Sequence, residues 1–168
     1  MPGTYEPIAT FTFTGAEVNT TFSSIPQTYT DLRVVVSGSA ASGGNSQAYV
    51  NGNTTSSNYT AQKLWGNAST ASATYATTST GFVPSSGSAR GWSAVPNTIV
   101  WEFPNYTQTT NYKPCLYYAI ESASTGSYIL LWYGIYKSAS AITSITCGNL
   151  SATMDAGSIA TLYGIKAA

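Results

Sequence analysis

No histidine occurs in this chain, and charged residues make up only 7% of it. The first absence removes the usual general base and the commonest metal ligand. The second leaves six basic and six acidic residues, scattered singly, for a formal net charge of zero. Nothing in that pattern can neutralise a run of phosphates or hold an anionic lipid surface, so neither nucleic acid nor membrane is expected as a partner. The six carboxylates form no pair close in sequence. Glu102 and Glu121 fall on expected strands, where outward side chains beside Thr and Tyr are the simpler reading and a pair assembled in space the other.

Other signatures are missing too. Cys115 and Cys147 lie far apart with no Cys-x-x-Cys spacing, which is no zinc pattern. They read as two buried free thiols, with a disulfide as the alternative. Residues 42–45, Ser-Gly-Gly-Asn, match no phosphate-cradling loop and read as a flexible turn. The start, Met1-Pro2-Gly3-Thr4-Tyr5-Glu6, lacks the basic and then apolar pattern of a secretory signal, and the longest apolar run, residues 128–136, is roughly half of what a membrane-spanning helix needs. A protein made soluble in a cytoplasm is expected, without catalytic residues, metal or cofactor. No stretch keeps a 3.6-residue apolar period with caps, so no long helix is expected.

What the chain does contain is Ser, Thr, Ala, Gly, Asn and aromatic residues: 13 Tyr, 4 Trp and 5 Phe in 168 residues. That length suits one domain, residues 1–168, able to bury roughly two-thirds of its unfolded surface. Residues 8–13 and 18–22 alternate apolar with Thr and Asn around a Thr-Gly-Ala-Glu turn and read as a hairpin. Residues 23–31, with Pro26, read as a crossover loop. Residues 32–37 form a strand with Leu32, Val34 and Val36 on one face and Arg33 and Val35 on the other. A Ser/Gly-rich loop, 38–46, precedes a short strand, 47–50, that ends at Asn51-Gly52, a strong turn signal.

Residues 59–65 are a further strand, and 68–90 read as long loops around a weak strand near 73–78. Strands follow at 98–103, 115–122 and 128–136. The last is apolar on both faces and is expected to be covered on both, with Leu131 buried. Residues 141–165 read as a closing hairpin around Asp155-Ala156-Gly157-Ser158, with Ile159, Thr161, Tyr163 and Ile165 on one face and Ala160, Leu162 and Gly164 on the other. Short strands at these intervals predict an all-β fold, an antiparallel β-sandwich or jelly roll of about eight to ten strands.

Tyr and Trp bury much area at little rotamer cost, which suits subunit interfaces and sugar platforms alike. Trp65, Tyr75 and Trp92, beside Ser- and Gly-rich loops, are candidates for contact with a neighbouring subunit, for core packing or for stacking on a glycan. Trp132, Tyr136 and Tyr163, on the doubly apolar strands, join them as candidate interface residues. So neutral a chain also lacks the charge repulsion that keeps molecules apart.

Several segments agree in order and spacing with a known group: Tyr5-Glu6-Pro7-Ile8-Ala9-Thr10, Phe22-Ser23-Ser24-Ile25-Pro26-Gln27-Thr28-Tyr29-Thr30-Asp31-Leu32, Ser57-Asn58-Tyr59, Trp65-Gly66-Asn67, Ala141-Ile142-Thr143-Ser144-Ile145-Thr146, Ala156-Gly157-Ser158 and Leu162-Tyr163-Gly164-Ile165. Together they resemble small virion structural proteins of tailed bacteriophages, nearly from end to end. The resemblance implies a non-enzymatic β-sandwich displayed on the particle: a capsid decoration or cement protein, or a tail-fibre or head-fibre module that contacts host surface polysaccharide. The doubly apolar runs 128–136 and 159–165, the aromatic content and the scarcity of charge predict a homo-oligomer; the resemblance implies a homotrimer at local threefold positions, with the major capsid protein or other virion proteins as partners. It brings no catalytic residues with it.

Overall fold

The computed structural model of the protein describes residues 4–40, 44–67, 70–83, 92, 94–123 and 126–166. Eleven strands occur among them: β1 (Thr4–Thr12), β2 (Asn19–Phe22), β3 (Asp31–Gly38), β4 (Ser46–Val50), β5 (Tyr59–Asn67), β6 (Thr70–Ser79), β7 (Asn97–Phe103), β8 (Lys113–Ala123), β9 (Gly126–Tyr136), β10 (Ile145–Asn149) and β11 (Ile159–Lys166). A single 3-10 turn, Ser56–Asn58, is the only helical piece among the described residues. The fold is all-β, as the residue pattern predicts, with slightly more strands than expected.

Two antiparallel sheets of unequal width make the sandwich. Eight strands run in the order β1-β11-β3-β7-β8-β9-β5-β6, and three in the order β2-β10-β4. The inner face of the wide sheet is set by strict alternation. Leu32, Val34 and Val36 of β3, Ile99, Trp101 and Phe103 of β7, Cys115, Tyr117 and Ala119 of β8, and Ala160 and Leu162 of β11 all point inward and are buried. Phe22, Ala48, Val50, Ile145 and Cys147 of the narrow sheet meet them in one continuous core. The Tyr117 and Ser46 hydroxyls, 2.5 Å apart, tie the two layers together.

Neither expected terminal hairpin forms. β1 pairs with β11 in the wide sheet, whereas β2 pairs with β10 in the narrow one. The Glu17 carboxylate accepts from the Thr14 N–H at 2.9 Å and its hydroxyl at 2.8 Å, and Gly15 takes φ 98°, so the turn redirects the chain instead of reversing it. The two connecting segments cross between the layers side by side. Phe13 N–H donates to Ser158 O at 2.8 Å, Met154 N–H to Glu17 O at 2.9 Å and Asn149 N–H to Val18 O at 2.9 Å. Strand-like composition identifies strands but not their partners, and here each partner lies more than a hundred residues away.

The segment 23–31 does cross from the narrow sheet to the wide one. At Asn51-Gly52 both residues take positive φ, 53° and 64°, as the turn chemistry predicts. The turn is also anchored: Asn51 Oδ1 accepts from the N–H groups of Thr143 at 2.8 Å and Ser144 at 3.3 Å, and its Nδ2 donates to Ala141 O at 2.8 Å.

The expected weak strand near 73–78 is a full ten-residue partner of β5. It is the outermost strand of the wide sheet, and among the described residues no strand pairs with its other flank. The loop reading for residues 84–90, and for 41–43 within 38–46, lies outside the described residues.

Candidate assembly surface

The narrow sheet is built from strands of four and five residues, against seven to eleven for β5 through β9. It covers only the inner face of the wide sheet. On the outer face, register places the side chains in rows. One row runs Val35, Val100, Tyr118, Leu131, Leu64, Ala73, and a second Thr98, Ile120, Ile129, Gly66, Ala71. A third runs Arg33, Glu102, Leu116, Tyr133, Gln62, Tyr75.

The rows change character along their length. Toward β3 and β7 the apolar pair Val35 and Val100 lies beside a polar cluster built on Arg33. Arg33 donates from Nη1 to the Tyr5 hydroxyl at 3.2 Å and from Nη2 to the Tyr118 hydroxyl, and it lies 3.6 Å from Glu102 Oε1. The Tyr5 and Tyr118 rings flank its guanidinium at 5.6 and 5.7 Å. Desolvation and then the nearby Glu102 charge push the Tyr118 hydroxyl above its ordinary pKa. Glu102 therefore points outward and pairs with a cation; for Glu121 only the backbone is described.

Toward β8, β9, β5 and β6 the rows turn apolar and open. Ile129 is 71% exposed, Tyr75 68%, Ile120 66%, Leu64 54%, Tyr133 50% and Leu131 44%. Gly66 leaves a notch between them, and a shallow groove of about 440 Å³ runs along Leu64, Gly66, Ala71, Ile129 and Leu131. This corrects the expectation that residues 128–136 are covered on both faces. Leu130 and Trp132 are buried, while Ile129, Leu131 and Tyr133 face out.

The six candidate aromatic residues divide accordingly. Tyr75 stands on the open face, and Tyr163 is half-buried on the outer face beside Arg33. Trp65 is half-buried on the inner side, its ring 5.3 Å from the buried Lys63 ammonium. Trp92, Trp132 and Tyr136 are fully buried within the chain's own core, so they offer no surface to a neighbour. Trp92 plugs the open end of the narrow sheet, its indole N–H donating to Gly148 O at 3.1 Å. Trp132 packs edge-on against Tyr117 at 6.0 Å, and Tyr136 stacks on Tyr59 at 5.0 Å. Parity explains the misplacement: on β9 the aromatic residues Trp132 and Tyr136 fall on the even, inward positions. Alternation along β9 separates Ile129, Leu131 and Tyr133 from Leu130, Trp132 and Tyr136, but nothing local in the sequence says which of the two apolar sets is covered.

Among the described residues, no three His, Cys, Asp or Glu side chains gather into a metal site, and no helix is long and apolar enough to cross a membrane. Cys115 and Cys147 are both buried and unpaired. No family model matches the chain, and no curated protein or solved structure does either. What the open face can do chemically is release ordered water when another surface covers it.

Proposed function

We propose that this is a non-enzymatic structural protein of a bacteriophage particle, a capsid decoration or cement protein that works as a homo-oligomer on the lattice of the major capsid protein. The observation that carries the reading is the open apolar face of the wide sheet. Monomeric proteins rarely leave so much contiguous apolar surface in water, and an assembly is where such a face is covered. The near absence of charge and the resemblance of segments spread from Tyr5 to Ile165 support the same reading, with a trimer as the closed arrangement the resemblance implies. Synthesis in the host cytoplasm and residence in the virion follow from it.

The fibre-module reading draws on a different place. Asn105, Gln108, Asn111, Tyr112 and Pro114 line a hollow of about 270 Å³, with Tyr112 60% exposed. Amides beside an exposed aromatic ring are the groups with which a polysaccharide's hydroxyls and apolar ring faces interact.

Quantitative mass spectrometry of purified particles tests the proposal. A decoration protein is present at a copy number comparable with the major capsid protein. A few copies per particle, together with binding to host polysaccharide that Tyr112→Ala abolishes, favour the fibre module. Absence from the particle overturns both.

A further inference from the structure

We propose that the outer face of β8, β9, β5 and β6 is a self-association surface, and that its occupant is a second copy of this chain. The inference rests on the assembly reading above and gives that face its partner.

Leu64, Tyr75, Ile120, Ile129, Leu131 and Tyr133 are 44% to 71% exposed. With roughly 200 Å² for a fully open large side chain, they present on the order of 700 Å². That exceeds the roughly 300–600 Å² of the largest patch on a typical monomer. It approaches the ~800 Å² that each partner buries in a standard interface. The layout also fits: an apolar centre on β9 and β5 is bordered by the polar cluster of Arg33, Glu102 and Tyr118, as a dry interface centre is bordered by a polar rim.

Charge selects the copy as occupant. None of the six side chains is charged, and the chain as a whole has zero formal charge, so two copies approach without Coulombic cost. A strongly charged partner would instead have to desolvate its groups against this face with nothing to pair them.

The edge beside the patch points the same way. At the far edge of the wide sheet, β1 is blunted by Pro7, by the irregular register between Pro7 and Ala9, and by Glu6 with its Lys166 partner. At the near edge, β6 reads Thr-Ala-Ser-Ala-Thr-Tyr-Ala-Thr-Thr-Ser, ten residues without charge or proline. Among the described residues no strand pairs with the outer flank of β6, and an edge of that composition is protected when a neighbouring chain lies over it. Closed symmetry lets one such surface satisfy itself: face to face about a twofold axis, or edge to face about a threefold.

Sedimentation velocity at micromolar concentration tests this with the wild type and with I129K, L64E and I159K. Ile159 is also exposed, at 43%, but sits on β11, away from the patch. The wild type and I159K are expected to sediment at two or three times the 17.6 kDa chain mass. I129K and L64E are expected at the mass of one chain, with far-ultraviolet circular dichroism unchanged. Two patch variants guard against one that fails to fold. A monomeric wild type overturns the inference, and so does an oligomer that neither patch charge disturbs. Either failure leaves the particle assay untouched: a monomer found in quantity on particles means that this face docks on the lattice, not on its own kind.

Discussion

Leu130 and Leu131 are neighbours in β9, yet Leu130 is 1% exposed and Leu131 44%. Leu130 points into the core shared by the two sheets, and Leu131 points out over Leu64 and Tyr118, its register partners on β5 and β8. Leu130→Ala therefore leaves a cavity and is expected to lower stability by about 2–4 kcal/mol. Leu131→Ala in the same chain is expected to cost under about 1 kcal/mol, because the side chain keeps much of its contact with water when folded. Urea denaturation of both variants, at a dilution where the wild type is monomeric, measures the difference. Equal losses would mean that the two faces of β9 have been assigned the wrong way round.

That pair also shows where reading residues reaches its limit. Alternation correctly splits β3 into Leu32, Val34, Val36 against Arg33, Val35, and β11 into Ala160, Leu162, Gly164 against the rest. Which face is covered depends on the width of the opposing sheet, and that is decided by pairings such as Cys147 with Ala48 and Thr20, distant in sequence. A strand apolar on both faces, as β9 is, then looks the same whether a sheet, another subunit or water lies beyond it. Trp92 was illegible for another reason. It sits between Ser- and Gly-rich stretches that read as loop, and its burial depends on distant partners, the Gly44 backbone and the Gly148 carbonyl. The turn at Asn51-Gly52 was legible because its chemistry is local.

The two thiols are expected to be unreactive in the native protein. Burial alone pushes Cys147 up to about 12, and burial first, with the nearby Glu102 charge, raises Cys115 well above the ordinary thiol range, so neither offers a thiolate near neutral pH. Titration with a thiol reagent at pH 8 should show no fast reaction for the folded chain and two free groups per chain after denaturation without reductant. A denatured count of zero contradicts the free state of both cysteines.

Lys113 is 1% exposed, and its ammonium donates to the carbonyls of Gln108, Asn111 (2.8 Å) and Ala139 (3.1 Å). Burial draws its pKa below that of a free lysine, while the three carbonyls hold the charged form in place. It thereby pins the 104–112 loop to the exit of β9. Lys113→Met keeps the stem but leaves three carbonyl oxygens without their donor, and a loss of about 1–3 kcal/mol is expected. Thermal unfolding monitored by circular dichroism checks it; a variant as stable as the wild type would show that water replaces the ammonium at no cost.

Acid sensitivity is expected to localise in part to the corner between β1 and β2. The Thr14 N–H, and then its hydroxyl, hold the Glu17 carboxylate below its ordinary pKa. A depressed folded-state value means that the unfolded chain takes up the proton first as pH falls. The contribution of Glu17 is therefore complete above the usual carboxylate range, near pH 4, and is lost as pH drops through its lower folded value. Glu6 is depressed as well, by the Lys166 ammonium and then the Tyr29 hydroxyl, so wild-type acid unfolding alone cannot isolate the corner. Glu17→Gln can: it keeps an acceptor for Thr14 but removes the titration. The difference in urea midpoint between wild type and Glu17→Gln should favour the wild type at pH 7 and shrink steadily toward pH 3, while the same comparison for Glu6→Gln in the Glu17→Gln background reports the second site separately. A difference that stays constant over that range would show that the Thr14 donors do not distinguish the carboxylate from its neutral form, and that the turn is held by Gly15 and the crossing hydrogen bonds of Phe13, Val18 and Met154 instead.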